Sequence, residues 1–323
     1  MRSESLQVAD SPRSFSPRRL RLPLNSPSFC HTMKNLRATI VYLIAILPVA
    51  WFPVASGQQT DTYLWKHALE AKAVDDRIAP PRGFERVEVV PGSFADWLRH
   101  LPLKSERAPV LLFNGDKKVD QSVHAAVVDI DTGNRDLQQC ADAVIRLRAE
   151  YLYSERLFEA IQFNFTNGDP APYTQWRDGF RPEVTASKAR WVRKAKPDSS
   201  YASFRKYLDT VFMYAGTQSL SRELQIRRKA EDMQVGDVFI RGGSPGHAVI
   251  VVDMARSKSS GETVFLLAQS YMPAQDIHIL RNPNDRALSP WYPIQFGETL
   301  RTPEWEFART ELRHFIEDSK LWK

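Results

Sequence analysis

The chain has 323 residues, 43% hydrophobic and 25% charged, an ordinary globular balance with room for one large domain or two small ones. A formal charge of +6 points first toward nucleic acid, but residues 1–57 hold seven of the basic residues against only Glu4 and Asp10. The rest of the chain is then almost neutral, which excludes a basic nucleic-acid footprint.

Residues 1–32 are rich in Ser, Pro and Arg and read as a disordered extension, or as a start assigned upstream of Met33. Residues 33–57 read as a signal peptide. "MKNLR" is its basic segment, "ATIVYLIAILPVAWFPVA" its apolar core, and "VASGQQ" supplies small residues for cleavage near Ser56 or Gly57. Pro48 and Pro53 interrupt the core, so no stable membrane span is expected after cleavage. The expected location is the periplasm or cell envelope. Residues 58–82 form a lead-in with a helical piece around "YLWKHALEAKAV", and 83–323 a single domain.

Within that domain, "GFERVEVV" alternates and predicts a strand from Phe84. "SFADWLRHL" predicts a short helix capped by Ser93, with Asp96 three positions on. Asn114-Gly115 in "PVLLFNGDKKV" marks a tight turn, and "SVHAAVVDI" predicts another strand. Asp136 is the expected N-cap of a helix whose buried stripe is Cys140, Val144, Leu147 and Tyr151. Residues 154–232 read as an inserted, helical or irregular segment. "DVFIR", "HAVIVVDMA" and "TVFLLAQSY" then predict three strands of a small antiparallel sheet, and "TPEWEFARTELRHFIEDSK" a final helix.

The sequence has two cysteines, Cys30 and Cys140. Removal of the leader leaves Cys140 alone in an oxidising compartment, where an odd thiol is either reactive or a buried small hydrophobe. A helix start offers free N–H groups and partial positive charge to a thiolate; Asp136 and Asp142 oppose this. A nucleophilic thiol needs a base, a group that orients the base, and N–H donors for an oxyanion. His247, after the Gly-rich turn "GGSPG", is the candidate base, and Gln269 the candidate orienting group. Asp253, Ser270 and His278 compete for the third place, with His278 read as a strand-edge residue. His124 is the alternative base. Gln138, Gln139 and the Cys140 N–H are candidate oxyanion donors, and Tyr173, Trp176, Tyr271 and Trp291 are candidate cleft aromatics. No metal-ligand spacing, phosphate loop or dinucleotide fingerprint is present, so no cofactor and no metal are expected.

The order "QQCADA", "GDVFI", "GHAVIVVD" and then a polar strand residue resembles the papain-like NlpC/P60 and CHAP cell-wall hydrolases. That resemblance implies an α+β papain-like fold, with the Cys-bearing helix packed on a small antiparallel sheet. It implies Cys140 as nucleophile, His247 as base, Gln269 as orienter and a cell-wall peptide or other amide as substrate. Ala141-Asp142 stands where those families carry Ser-Gly, and the interval from Cys140 to His247 is longer than in their compact members. From Gly83 onward the chain more closely resembles an exported bacterial family, domain of unknown function 4846, through "DLQQCADAVIRLRAEYLY", "YAGTQSL", "GDVFI…GHAVIVVD" and "LLAQSYMPAQDIHIL". The expected activity is an exported, thiol-dependent amidase or peptidase. The rival expectation is a non-catalytic envelope-binding protein on a degenerate papain-like scaffold.

Overall fold

A computed structural model describes residues 63–68 and 71–316. The leader, Cys30 and the last residues of the expected final helix lie outside this range. The described chain is mixed α+β, built on an antiparallel sheet of nine strands rather than the small sheet expected.

The sheet is organised around "HAVIVVDMARS", an eleven-residue strand, His247–Ser257. Its β-branched run is buried on both faces, which explains the lack of clean polar alternation. Val238–Arg241 pairs on one side and Thr263–Gln269 on the other, both antiparallel. The sheet continues from Thr263–Gln269 through His278–Leu280 to His124–Val127, and from Val238–Arg241 through Leu312–His314 to Gln225–Ile226. Phe84–Arg86 pairs with the far end of the long strand, and Tyr292–Pro293 with Thr263–Gln269.

Alternation along the long strand divides two cores. Ala248, Ile250 and Val252 belong to the core that holds Ala143, Val144 and Leu147 of the helix Cys140–Ser154. Val249 and Val251 belong to the opposite core, with Phe239, Phe265 and Phe307, and a bulge that leaves Val252 without a register partner shifts the alternation so that Met254 joins them. Each Val, Leu, Ile, Met or Phe among these contributes about 1.5–3 kcal/mol by burial.

The expected single buried stripe on the Cys140 helix is corrected by its surroundings. Arg146 and Glu150 are buried as fully as Val144, because the segment after the helix returns over its outer face. Tyr153 stacks on Phe204 at 4.2 Å, and Arg146 Nε donates to Glu150 Oε1, which also accepts from the Tyr201 hydroxyl. That segment contains the helices Tyr201–Tyr214 and Thr217–Glu223. It also holds hairpins at Gln162–Asn164/Pro170–Pro172 and Phe180–Val184/Ala189–Arg193. The helix is therefore a middle layer between the sheet and the segment that follows it.

Three further expectations are corrected. The N-cap is Gln139, not Asp136: its backbone N–H is met by Asp142 in a capping box, and Asp136 accepts from the Gln139 carboxamide. The helical lead-in is confined to Val74–Arg77, with no helix over residues 63–68. The final segment forms a hairpin, Thr299–Arg301 with Glu306–Ala308, and then the sheet strand Leu312–His314. In "EWEFA" the apolar Trp305 and Phe307 alternate with glutamates, and this two-residue period outweighs the helix-forming composition. The Ser93-capped helix, Phe94–Arg99, forms as expected.

Candidate functional site

Cys140, the first residue of its helix, lines a cavity of about 410 Å³ together with His247, the first residue of the long strand. Gln139, Asp142, Tyr271 and Trp305 complete that side. Ala215, Gly216 and Thr217, between the two helices of the segment after Ser154, form another wall beside the loop Gly243–Gly246. The loop needs its glycines. A Cβ on Gly246 would lie 2.4 Å from Thr217 Oγ1 and 2.5 Å from the Gly243 carbonyl oxygen, and one on Gly242 would lie 2.3 Å from Ser221 Oγ. "GGSPGH" and "AGTQS", distant in the chain, are thus packed against each other at the cavity.

The imidazole is the better-fixed half of the site. His247 is 2% exposed, and its Nε2 is 2.9 Å from Gln269 Oε1. A carboxamide oxygen only accepts, so the ring carries its proton on Nε2 and leaves Nδ1 unprotonated. Tyr271, Trp305 and Phe307 surround the ring, with centroids at 4.8, 5.3 and 5.8 Å. Burial, followed in the same direction by the charge of Lys118, lowers the His247 pKa to about 4 despite the Gln269 bond.

The thiol is held differently. Cys140 is 8% exposed and forms no disulfide among the described residues. The N–H groups of Ala141, Ala248 and Cys140 itself favour its thiolate, yet burial and then the Asp142 charge push the thiol up to about 11. The resting pair is therefore thiol and neutral imidazole. Asp142 is itself buried, its carboxyl raised well above the ordinary range by desolvation, and its Oδ1 has no partner among the described residues.

Other expected site residues are placed apart from this pair. Gln138 gives its carboxamide oxygen to the buried guanidinium of Arg146, 2.8 Å away, and does not line the cavity. Arg146, which also donates to the Asp131 carbonyl, thus claims the side chain expected to serve an oxyanion. Gln139 does line the cavity, with its Nε2 donating to Asp136 Oδ1. Ser270 is fully buried and latches the carbonyl oxygens of Gln138 and Gln275, tying the sheet to the helix start. His124, the alternative base, lies two strands beyond Gln269 and outside the cavity lining, with its Nε2 3.3 Å from the Ala108 carbonyl. Asp253 is engaged by Arg86 and Arg99 at 2.7 and 2.8 Å. Of the four cleft aromatics, Tyr271 lines the cavity, whereas Tyr173, Trp176 and Trp291 are core residues.

His278 is no strand-edge residue. Its strand lies inside the sheet, its register partner is Gln269, and the side chain is fully buried. Its Nδ1 is 2.9 Å from the Asp276 carbonyl, and its Nε2 is 3.3 Å from Gln269 Nε2. Two more residues escaped sequence reading. Glu304 Oε2 accepts from Gln269 Nε2 at 2.7 Å, and Lys118 Nζ is 2.6 Å from Glu304 Oε1. The only sequence signal for Glu304 is the alternation of "EWEF", which the helical reading of that segment obscured.

Among the described residues no group of three or more His, Cys, Asp or Glu is placed to hold a metal ion, and no helix is long and apolar enough to cross a membrane. No curated protein matches the chain, and no solved structure does. Residues 74–314 match the model of domain of unknown function 4846, so the chain belongs to that family.

Proposed function

We propose that this member of the domain of unknown function 4846 family is an exported thiol-dependent amidase or peptidase acting on cell-wall peptide. The observation that carries the reading is one cavity lined by a helix-start thiol and by a histidine whose Nε2 is committed to Gln269. The helix against an antiparallel sheet is the arrangement a papain-like core of NlpC/P60 or CHAP type would use. The leader of residues 33–57 supports export.

In this reaction His247 Nδ1 takes the thiol proton as Cys140 Sγ attacks the amide carbon. The oxyanion draws on the free N–H groups of the helix first turn. Nδ1 then gives its proton to the departing amine as the C–N bond breaks. Water, deprotonated by the same nitrogen, hydrolyses the thioester and restores the thiol. The resting thiol is not hydrogen-bonded to His247. Catalytic hydrogen bonds are often long in a free enzyme and tighten with substrate bound.

A second reading has its own observation. A thiol pushed up to about 11 beside a buried acid suits a non-catalytic envelope-binding module that retains the papain-like shape. Incubating the protein and its Cys140→Ala variant with peptidoglycan fragments, read by mass, separates the two. The hydrolase cleaves the fragments and the variant does not. Binding by both proteins with every fragment intact would overturn the hydrolase.

A further inference from the structure

Behind His247 stands a chain of groups that the thiol chemistry does not itself require. Gln269 touches three side chains at once: His247 through Oε1, and His278 and Glu304 through Nε2. Glu304 reaches it from the turn between Thr299–Arg301 and Glu306–Ala308. Lys118 reaches Glu304 from the turn after Asn114-Gly115, and its side chain is only 9% exposed. The ammonium also lies 5.1 Å from the Tyr271 ring centroid, next to the imidazole.

A carboxamide can be turned by 180° with little change of shape, so its orientation comes from its partners. Here the partners agree. Turned over, Oε1 would meet the Glu304 carboxylate oxygen at the position where Nε2 now donates over 2.7 Å. It would also meet the His278 Nε2 lone pair, because His278 Nδ1 must donate to the Asp276 carbonyl. Gln269 Nε2 would in turn offer its hydrogen to His247 Nε2, moving the ring proton to Nδ1. That is the wrong tautomer for a base whose Nδ1 must accept.

We propose that Glu304, steadied by Lys118, is a positioning residue for His247: its carboxylate fixes the Gln269 carboxamide, and the carboxamide fixes the imidazole tautomer. Glu304 is not among the residues that line the cavity. It acts through Gln269, whose orientation it sets. The inference rests on the reading of His247 as the base, and it extends that reading to residues from two loops outside the three-strand pattern.

The test is nitrogen NMR of histidine-labelled protein at pH 7, with the wild type, Glu304→Gln and Glu304→Asp compared. The wild type is expected to hold His247 as a single tautomer protonated at Nε2. Glu304→Gln, which can both donate and accept, is expected to give a mixture of tautomers; Glu304→Asp restores the single form. Lys118→Met is expected to shift His247 in the same direction as Glu304→Gln but less far, and it serves if Glu304→Gln fails to fold. On a cleaved peptide, Glu304→Gln lowers kcat at least ~tenfold with KM unchanged, a part of the ~10²–10⁴ that a positioned base contributes. An unmixed Nε2-protonated ring in both Glu304→Gln and Lys118→Met would overturn the inference. The two proposals fail separately. A tautomer that follows Glu304 in a protein that cleaves nothing sinks the hydrolase alone. A cleaving enzyme whose tautomer ignores Glu304 sinks the positioning role alone.

Discussion

The two halves of the cavity are built to different standards. On the sheet side, His247, Gln269, His278, Glu304 and Lys118 form one hydrogen-bonded run in which each named donor meets an acceptor. On the helix side, Cys140 sits beside Asp142, a buried carboxyl with an unpartnered oxygen, and the thiol is pushed up rather than down. A buried polar network is stable when complete and costly when broken. The comparison thus teaches that the imidazole is fixed by a completed set of partners, whereas the thiol is held protonated by burial and a neighbouring acid.

The strongest way to break that contrast is Gln269→Leu. Leucine is close in volume but leaves the His247 N–H, the His278 lone pair and the Glu304 carboxylate without their shared partner. Each orphaned buried group costs about 1–3 kcal/mol, so the three together are expected to cost about 3 kcal/mol or more. Urea denaturation at pH 7 measures it. A loss under ~0.5 kcal/mol would mean that the run is not a cooperative network.

Acid sharpens the same point with a smaller effect. The His247 pKa is lowered to about 4 in the folded protein by burial and by Lys118. The unfolded chain binds this proton at about 6.5. Between those values the unfolded state holds more protons, so the histidine's contribution is complete above pH 6.5 and is lost as pH falls toward 4. At pH 5 the loss is about 2 kcal/mol. Glu223, raised to about 7 by burial, gains stability over the same range and would mask the effect in the wild type alone. Its contribution cancels when the wild type is compared with His247→Asn. The wild type should lose about 2 kcal/mol more than the variant between pH 7 and pH 5. Equal losses would show a histidine that titrates normally.

The sheet half was the more legible in sequence, and for a physical reason. "DVFI", "HAVIVVD" and "TVFLLAQ" are continuous β-branched or apolar runs between turn residues, and such runs have few alternatives to a buried strand. A lone polar residue ending one of them, Gln269, has to find a partner. Glu304 was not legible, because it reaches Gln269 from a hairpin whose glutamates and arginines imitate a helix. The direction of the thiol shift was not legible either. The helix start and the two aspartates pull in opposite directions, and burial, which settles the sign, is a tertiary fact. His278 was misjudged for a related reason: "DIHIL" gives no sign that another strand, His124–Val127, covers its far edge.

The smallest effect tests the helix half. Asp142 is second to burial in raising the Cys140 pKa, and Asn in its place keeps an acceptor for the Gln139 N–H. Thiolate, not thiol, reacts with iodoacetamide, so below the pKa the labelling rate rises tenfold per pH unit. With the thiol at about 11, wild-type labelling should climb from pH 7 through pH 10 without a plateau. Asp142→Asn removes a neighbouring charge and should shift that line upward about three- to tenfold at pH 9, the effect of lowering a pKa by about half to one unit. An unchanged line would mean that Asp142 keeps its proton over this range and that burial alone restrains the thiol. A plateau near neutral pH in the wild type would go further: it would show a thiolate already formed, and the two halves of the cavity would then be equally prepared.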